Sequence, residues 1–135
     1  MGNFNFNSKD IPFKEKDNLE KNMFIVDGNA YIYRAYYAIN DLKTSQNIPV
    51  NAIYGFFSIF LKLLKYIKNN FANPYICICF DAHKKVFRND LYPEYKANRK
   101  KMPDDLVLQL PTIKDILKKM NIQSFEIDGF EADDI

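Results

Sequence analysis

The stretch Tyr75-Ile76-Cys77-Ile78-Cys79-Phe80-Asp81 decides the fold class. Six apolar or aromatic residues in a row, between Asn73-Pro74 and an aspartate, predict a strand buried on both faces, which is typical of a parallel sheet. On such a strand Cys77 and Cys79 share a face at about 7 Å, too far apart for an unstrained disulfide. The stretch therefore predicts a central parallel strand carrying two free, buried thiols.

The segments on either side of this strand alternate between strand and helix patterns. Met23–Val26 is a second apolar run, read as a buried strand that leads into the turn Asp27-Gly28-Asn29. Ala52–Lys68 repeats apolar residues at helical spacing and predicts the clearest helix of the chain. The remaining predicted elements are a helix at 30–39, a loop at 40–49, a helix from Pro103 to Met120 broken near Pro111, and a third strand at 121–127. This order predicts an α/β fold with a parallel sheet and flanking helices.

Length and composition exclude several classes of protein. The chain has 135 residues, of which 47% are hydrophobic, so one domain with a real core is expected and full disorder is excluded. No apolar stretch approaches the ~20 residues of a membrane span. Residues 1–22 hold four basic and four acidic residues without an apolar run, and we expect a flexible N-terminal extension before an ordered region at 23–135. A cytoplasmic protein is the expectation.

Charge is unevenly distributed although the net charge is only +2. Residues 82–101 carry seven basic side chains against two acids, and residues 123–135 carry five acids and no base. A basic block beside an acidic block is expected where one part of a protein holds phosphates and another holds metal. Two solvated segments of different charge explain the same pattern equally well.

Carboxylates follow all three predicted strands. Because the carboxyl ends of parallel strands meet at one edge of a sheet, these side chains are expected to converge there. A single aspartate in such a place is most often a turn or cap residue, but three strand ends with acids favour a bound cation, and all-oxygen ligands favour Mg²⁺ or Mn²⁺. The candidate metal ligands are Asp27, Asp81, Glu131, Asp133 and Asp134.

Cations and aromatic residues alternate in the basic block. This mixture is suited to gripping phosphates and stacking on single-stranded bases, although an exposed segment with ordinary ion pairs is the alternative. Only three of the nineteen basic residues are arginines, the residue type suited to bidentate phosphate contact. The candidate DNA-binding residues are Arg34, Phe87, Arg88, Tyr95, Lys96 and Arg99.

Several motifs together resemble the 5′-nuclease domain of bacterial DNA polymerase I, a branch of the flap endonuclease superfamily with a PIN-like α/β fold. The resemblance runs from Met23 to Ile135. It is carried by residues 24–29 (FIVDGN), 33–35 (YRA), 51–56 (NAIYGF), 80–82 (FDA), 87–88 (FR), 92–99 (YPEYKANR), 102–103 (MP) and 129–134 (GFEADD). Because all of these motifs occur in the family's order, the resemblance is specific.

The resemblance implies a nuclease that hydrolyses phosphodiester bonds of DNA at 5′ flaps and single-strand/duplex junctions with two divalent metals. It implies roles in replication and repair, a bacterial cytoplasmic, nucleoid-associated location, and a polymerase domain in some full-length proteins. The five acids match the family's metal positions. Lys96 and Arg99 match basic residues of a helical arch through which the 5′ strand passes, and Arg34 matches a basic residue beside the metals, so all three are implied to stabilise phosphoryl charge during catalysis.

The resemblance also has departures. Asn47 and Val50 stand in a loop where the family shows glycine and threonine, and the family continues beyond its Glu-Ala-Asp-Asp motif with further acids and a helix-hairpin-helix. We therefore expect residues 23–135 to be the N-terminal portion of a 5′-nuclease domain, truncated at its C-terminal side, with weak or no cleavage by itself. The alternative is a catalytically incomplete fragment that only binds nucleic acid. A phosphatase with an aspartate nucleophile is disfavoured, because no second aspartate lies two residues after Asp27.

Overall fold

The structure is a computed structural model that describes residues 21–82, 91–92, 94 and 100–135. Strands and helices alternate within these ranges, as the sequence predicts. In chain order the elements are β1 (Met23–Asp27), α1 (Gly28–Ala38), α2 (Asn51–Asn70), β2 (Tyr75–Phe80), α3 (Asp104–Val107), α4 (Leu110–Lys119), β3 (Gln123–Glu126) and a 3₁₀ turn (Ala132–Asp134).

The three strands form one parallel sheet with β2 in the centre. Asp27 at the end of β1 is level with Cys79 of β2, and Cys79 is level with Phe125 of β3. All three strands therefore end at the same edge of the sheet, which is the geometry that the α/β prediction required. The residues that directly follow these ends lie at that edge.

One face of the sheet and the helices enclose the hydrophobic core. Side chains alternate along a strand, and Val26, Ile78 and Phe80 point into the core with less than 6% of their surface exposed. The apolar stripe of α2 supplies the fully buried Phe56 and Phe60. Helix α4 contributes buried residues to the same core and is tied to β3 by an ion pair between Lys114 and Glu126.

The opposite face of the sheet is apolar and exposed in the described part of the chain. Met23 and Ile25 on β1 are 62% and 60% exposed, and Tyr75 and Phe125 on the neighbouring strands are also open to solvent. The prediction of a buried strand is therefore wrong for one face of β1. It is confirmed for residues 77–80 of the central strand β2, all of which are buried.

A buried hydrogen-bond network joins α1, α2 and the α3–α4 connection. Gln109, which is 1% exposed, accepts from the backbone N–H groups of Ala52 and Ile53 at 2.8 and 3.2 Å. Its amide nitrogen donates to the Asn51 side chain at 2.9 Å, and Asn51 donates to the carbonyl of Ile39 at 2.9 Å. Gln109 thus satisfies two of the N-terminal donors of α2, a role that the preceding residue, Val50, does not fill with a side-chain cap.

Element boundaries differ from the predicted ones for identifiable reasons. Pro111 lies in the first turn of α4, where its missing N–H costs little, so the predicted break appears as two helices separated at residues 108–109. The third strand is shorter than predicted and covers Gln123–Glu126. Asn47 has φ 63°, a left-handed conformation that asparagine tolerates, so asparagine can stand at a position where the resemblance implies glycine.

No helix within the described ranges has the length and apolar character needed to cross a membrane.

Candidate metal centre

Asp27 is both the last residue of β1 and the N-cap residue of α1. Its side-chain Oδ1 accepts a hydrogen bond from the backbone N–H of Ala30 at 2.9 Å, which is the normal bond of an N-cap aspartate. Gly28 follows, and a Cβ atom at this position would lie 2.4 Å from the Phe80 ring. The absence of a side chain at Gly28 therefore lets the start of α1 approach the end of β2.

Asp81 follows β2 and is bonded to the segments that follow the other two strands. Its backbone N–H donates to the side-chain oxygen of Asn29 at 3.2 Å, and its own Oδ1 accepts from the backbone N–H of Ala132 at 2.9 Å. The neighbouring Ala82 N–H points to the carbonyl of Phe130 at 3.5 Å. Asp81 thus connects the start of α1 to the acidic segment that follows β3.

The acidic segment brings three carboxylates together. Glu131, Asp133 and Asp134 each offer an oxygen atom, and these atoms lie within 4.8 Å of one another. The backbone is held by two bonds within the turn, from the Asp134 N–H to the Glu131 carbonyl and from the Glu131 N–H to the Asp134 side chain, both at 3.0 Å. Glu131 is 6% exposed and Asp133 is open to solvent. The cluster therefore reaches from the protein interior to the surface.

Such a cluster is suited to a divalent cation. Three carboxylates at this spacing repel one another, and a cation between them removes that repulsion. The available donors are all carboxylate oxygens, the ligands that Mg²⁺, Mn²⁺ and Ca²⁺ prefer over the sulfur and nitrogen ligands of zinc sites. The residues present thus fit a hard divalent metal.

The structure brings the five predicted metal ligands to one edge of the sheet, where three of them form a cluster and two lie outside it. The cluster itself contains Glu131, Asp133 and Asp134. Asp81 lies outside this cluster of described residues but is bonded to the backbone of the same turn. Asp27 also lies outside the cluster, but it is the last residue of β1 and therefore lies at the same edge of the sheet.

Arg34 lies two turns along α1 from Asp27, on the same side of the helix by the 3.6-residue repeat and about 10 Å further along its axis. It is exposed, and its guanidinium group lies 5.8 Å from the centre of the Tyr31 ring. Burial raises the pKa of Tyr31, an effect that the nearby Arg34 charge partly offsets. Because its side chain is exposed, Arg34 is accessible to an anionic ligand.

The other predicted DNA-binding residues fall outside the described residues. These residues are Phe87, Arg88, Tyr95, Lys96 and Arg99. Their assignment stays a prediction from the sequence and the resemblance.

The two cysteines are free and buried, as the sequence predicts. Burial raises the pKa of both thiols, and the Asp27 carboxylate adds to this effect at Cys79. Both side chains are therefore protonated at neutral pH, which makes them poor nucleophiles and poor metal ligands.

Sequence reasoning assigned no role to Asn29. The residue was visible as part of Asp27-Gly28-Asn29, but its bond spans 52 positions to Asp81 and nothing local in the sequence indicates it. The sequence feature that points to Asn29 is its amide side chain directly after Gly28, where a predicted strand ends.

Comparison with known proteins agrees with this geometry. The family described as "5'-3' exonuclease, N-terminal resolvase-like domain" matches residues 22–135. The chain is 46% identical over 113 residues to the DNA polymerase I of Caldicellulosiruptor bescii, covering 84% of this chain and 13% of that protein. It is 41% identical over 115 residues to a 5'-3' exonuclease of Aquifex aeolicus, covering 85% of this chain and 38% of that protein.

A solved structure is also similar. The T5 D15 protein, co-crystallised with metal ions, aligns with a TM-score of 0.56 and 27% identity over 84% of this chain and 41% of that one. The chain thus spans well under half the length of each of these three relatives. Since the family match covers residues 22–135 and the parallel α/β sheet agrees with it, the chain belongs to the 5'-3' exonuclease family, N-terminal resolvase-like domain, with a PIN-like fold.

Proposed function

We propose that this chain forms the acidic, metal-binding part of a divalent-metal-dependent nuclease that hydrolyses DNA phosphodiester bonds at 5′ flaps or single-strand/duplex junctions. The observation that carries the proposal is the cluster of Glu131, Asp133 and Asp134 at the carboxyl edge of the sheet, with Asp81 bonded to the same turn. Nucleases of this kind need a metal held by carboxylates next to a phosphate-binding surface.

Glu131, Asp133 and Asp134 would hold the metal, and Asp27 and Asp81 would complete its surroundings. A bound Mg²⁺ or Mn²⁺ would supply Lewis-acid stabilisation of the phosphate oxygens. Burial of Glu131 keeps one ligand in a fixed position, and exposure of Asp133 leaves the site open to substrate. The two-metal arrangement that the resemblance implies belongs to this proposal.

Arg34 would bind a phosphate of the DNA beside the metal. It is exposed, and a guanidinium group makes bidentate contacts to phosphate oxygens. Phe87, Arg88, Tyr95, Lys96 and Arg99 are proposed to contact the single strand, with Lys96 and Arg99 stabilising charge on the scissile phosphate. Such a DNA-bound enzyme would work in the bacterial cytoplasm at the nucleoid.

Binding of a labelled 5′-flap DNA, followed by fluorescence anisotropy in Mn²⁺ and in EDTA, tests this function. We expect salt-sensitive binding that weakens in a Lys96→Ala and Arg99→Ala double variant and leaves a smaller dependence on salt concentration. The matched control is a double variant of two exposed lysines of α2, Lys62→Ala with Lys65→Ala. Equal affinities for the two double variants would contradict the DNA-contact assignment.

Cleavage of the same DNA in Mg²⁺ separates the nuclease from the binding-only alternative. The expectation for this chain is weak cleavage at most, which Asp81→Ala abolishes. Robust cleavage that is lost in Asp81→Ala would show a complete active site and overturn the expectation of weak activity. Cleavage that persists undiminished in Asp81→Ala would contradict the proposed site itself.

A further inference from the structure

We propose that Asn29 is a positioning residue for the metal site, acting through Asp81 and the backbone of Ala132. This inference rests on the proposed metal-dependent function and adds a residue to which neither the sequence motifs nor the family match assigns a role.

The first observation is the bond that Asn29 makes. Its side-chain oxygen accepts from the backbone N–H of Asp81 at 3.2 Å, across 52 positions of sequence. Both residues are half-buried. The bond fixes the backbone at the residue that carries the Asp81 carboxylate, immediately after β2 ends.

The second observation is that Asn29 itself has little freedom to move. It is the second residue of α1, and Gly28 before it lies against Phe80 and Ile78 so closely that an added Cβ would come within 2.4 Å and 2.8 Å of their side chains. Asp27 caps the same helical turn. The first turn of α1 is thereby fixed relative to the end of β2, and the Asn29 oxygen is held toward Asp81.

The third observation connects Asp81 to the cluster. The Asp81 Oδ1 accepts from the backbone N–H of Ala132 at 2.9 Å, and Ala132, which is 5% exposed, lies between Glu131 and Asp133 in the sequence. A shift of the Asp81 backbone therefore moves the anchor of the segment that carries the ligands. Two hydrogen bonds, one from Asp81 to Asn29 and one from Ala132 to Asp81, therefore connect Asn29 to the segment that carries the carboxylate cluster.

Residues that orient metal ligands without touching the metal affect affinity strongly, since losing one typically weakens metal binding about 10- to 100-fold. Asn29→Ala removes the acceptor and leaves the Asp81 N–H without this bond. We expect the Mn²⁺ dissociation constant of Asn29→Ala to rise about tenfold. Asn29→Asp keeps an oxygen acceptor at the same place and should restore affinity to the wild-type range.

The experiment is a calorimetric titration of Mn²⁺ into the full 135-residue chain, at a temperature where circular dichroism shows every variant to be folded. Asn69→Ala, an exposed asparagine of α2, is the matched control. Asn51→Ala is a second control that weakens the fold through the buried Gln109 network, in which none of the candidate metal ligands takes part. A merely structural role for Asn29 would make Asn29→Ala behave like Asn51→Ala, with lower stability and unchanged Mn²⁺ affinity.

Loss of affinity in Asn29→Ala, recovery in Asn29→Asp and unchanged affinity in both controls is the expected result. Wild-type affinity in Asn29→Ala, with Mn²⁺ bound by the wild type, would overturn this inference and leave the proposed function standing. No Mn²⁺ binding by the wild type would overturn both.

Discussion

At the scale of single residues, the tripeptide Asp27-Gly28-Asn29 shows how three neighbours serve three purposes. Asp27 caps α1, Gly28 allows the close approach of α1 to Phe80, and Asn29 reaches Asp81. The capping bond explains a small polar residue here, because asparagine or serine would cap the helix about as well as aspartate. It does not require the negative charge of Asp27, which the proposed metal site would use.

Tyr36 gives a test at the same scale. Its hydroxyl donates to both oxygens of Asp105, at 2.8 and 3.0 Å, and this hydrogen bond raises the pKa of Tyr36 to about 12. Because the folded state holds this proton more tightly than the unfolded chain, the contribution of Tyr36 to stability is complete below pH 10. It is lost as the pH rises from 10 toward 12.

The titration of tyrosinate absorbance in the native protein measures this shift. The difference between wild type and Tyr36→Phe should show one tyrosine ionising near pH 12, and Asp105→Asn should move that ionisation toward 10. Ionisation of Tyr36 at its ordinary pKa in the wild type would contradict the hydrogen bond.

At this scale the sequence predicts which residues carry charge at the strand ends, because strand ends and carboxylates are both visible in it. It does not predict Asn29 or Gln109. Their bonds span 52 and 57 positions, and such long-range pairs depend on how the helices pack.

At the scale of elements, the N-terminus of α2 depends on a side chain from a distant segment. Helices usually obtain this cap from the residue just before them, but Val50 cannot provide it and Gln109 does. Gln109 thus ties the α3–α4 connection to the start of α2, next to the end of α1.

Replacement of Gln109 tests this arrangement. Gln109→Ala removes the hydrogen-bond partners of the Ala52 N–H and of the Asn51 side-chain oxygen in the interior, and each such group costs about 1–3 kcal/mol. We expect a loss of about 3 kcal/mol in the free energy of unfolding, measured by urea denaturation.

Gln123→Ala on the exposed edge strand is the matched control and should change stability by less than about 0.5 kcal/mol. The double variant with Asn51→Ala should be less destabilised than the sum of the single changes, since both side chains belong to one network. A change below about 0.5 kcal/mol in Gln109→Ala would show that the network does not stabilise the fold.

Periodicity predicts the long elements well because burial dominates them. The apolar stripe of α2 and the apolar run of β2 appear at nearly the predicted limits. The exposed strand β3 is less well predicted, since its length depends on pairing with β2 and not on its own pattern.

At the scale of the whole molecule, the sheet has two different faces. Helices α1, α2 and α4 enclose a core on one face, and the described part of the other face presents Met23 and Ile25. Hydropathy does not distinguish these cases, because a strand with one exposed apolar face has the same composition as a strand buried on both. The sequence therefore predicts the sheet but not which of its faces is covered.

The same view explains why the sequence predicts a cluster of acidic side chains at one edge of the sheet. Parallel strands bring their carboxyl ends to one edge irrespective of sequence distance. Acids at the ends of β1, β2 and β3 therefore share this edge, and Asp81 is bonded to the backbone of Ala132, between Glu131 and Asp133.

The central claim is that this edge binds a divalent cation, and calorimetric titration of Mn²⁺ into the wild type and Asp133→Asn tests it most directly. Asp133 is exposed, so its replacement removes one ligand charge with little effect on the fold, and Asp115→Asn on the exposed surface of α4 is the control. We predict that the wild type and Asp115→Asn bind Mn²⁺ equally and that Asp133→Asn binds at least about tenfold more weakly, since even outer-shell changes cost that much. Equal affinities for all three proteins, or no binding by the wild type, would contradict the account.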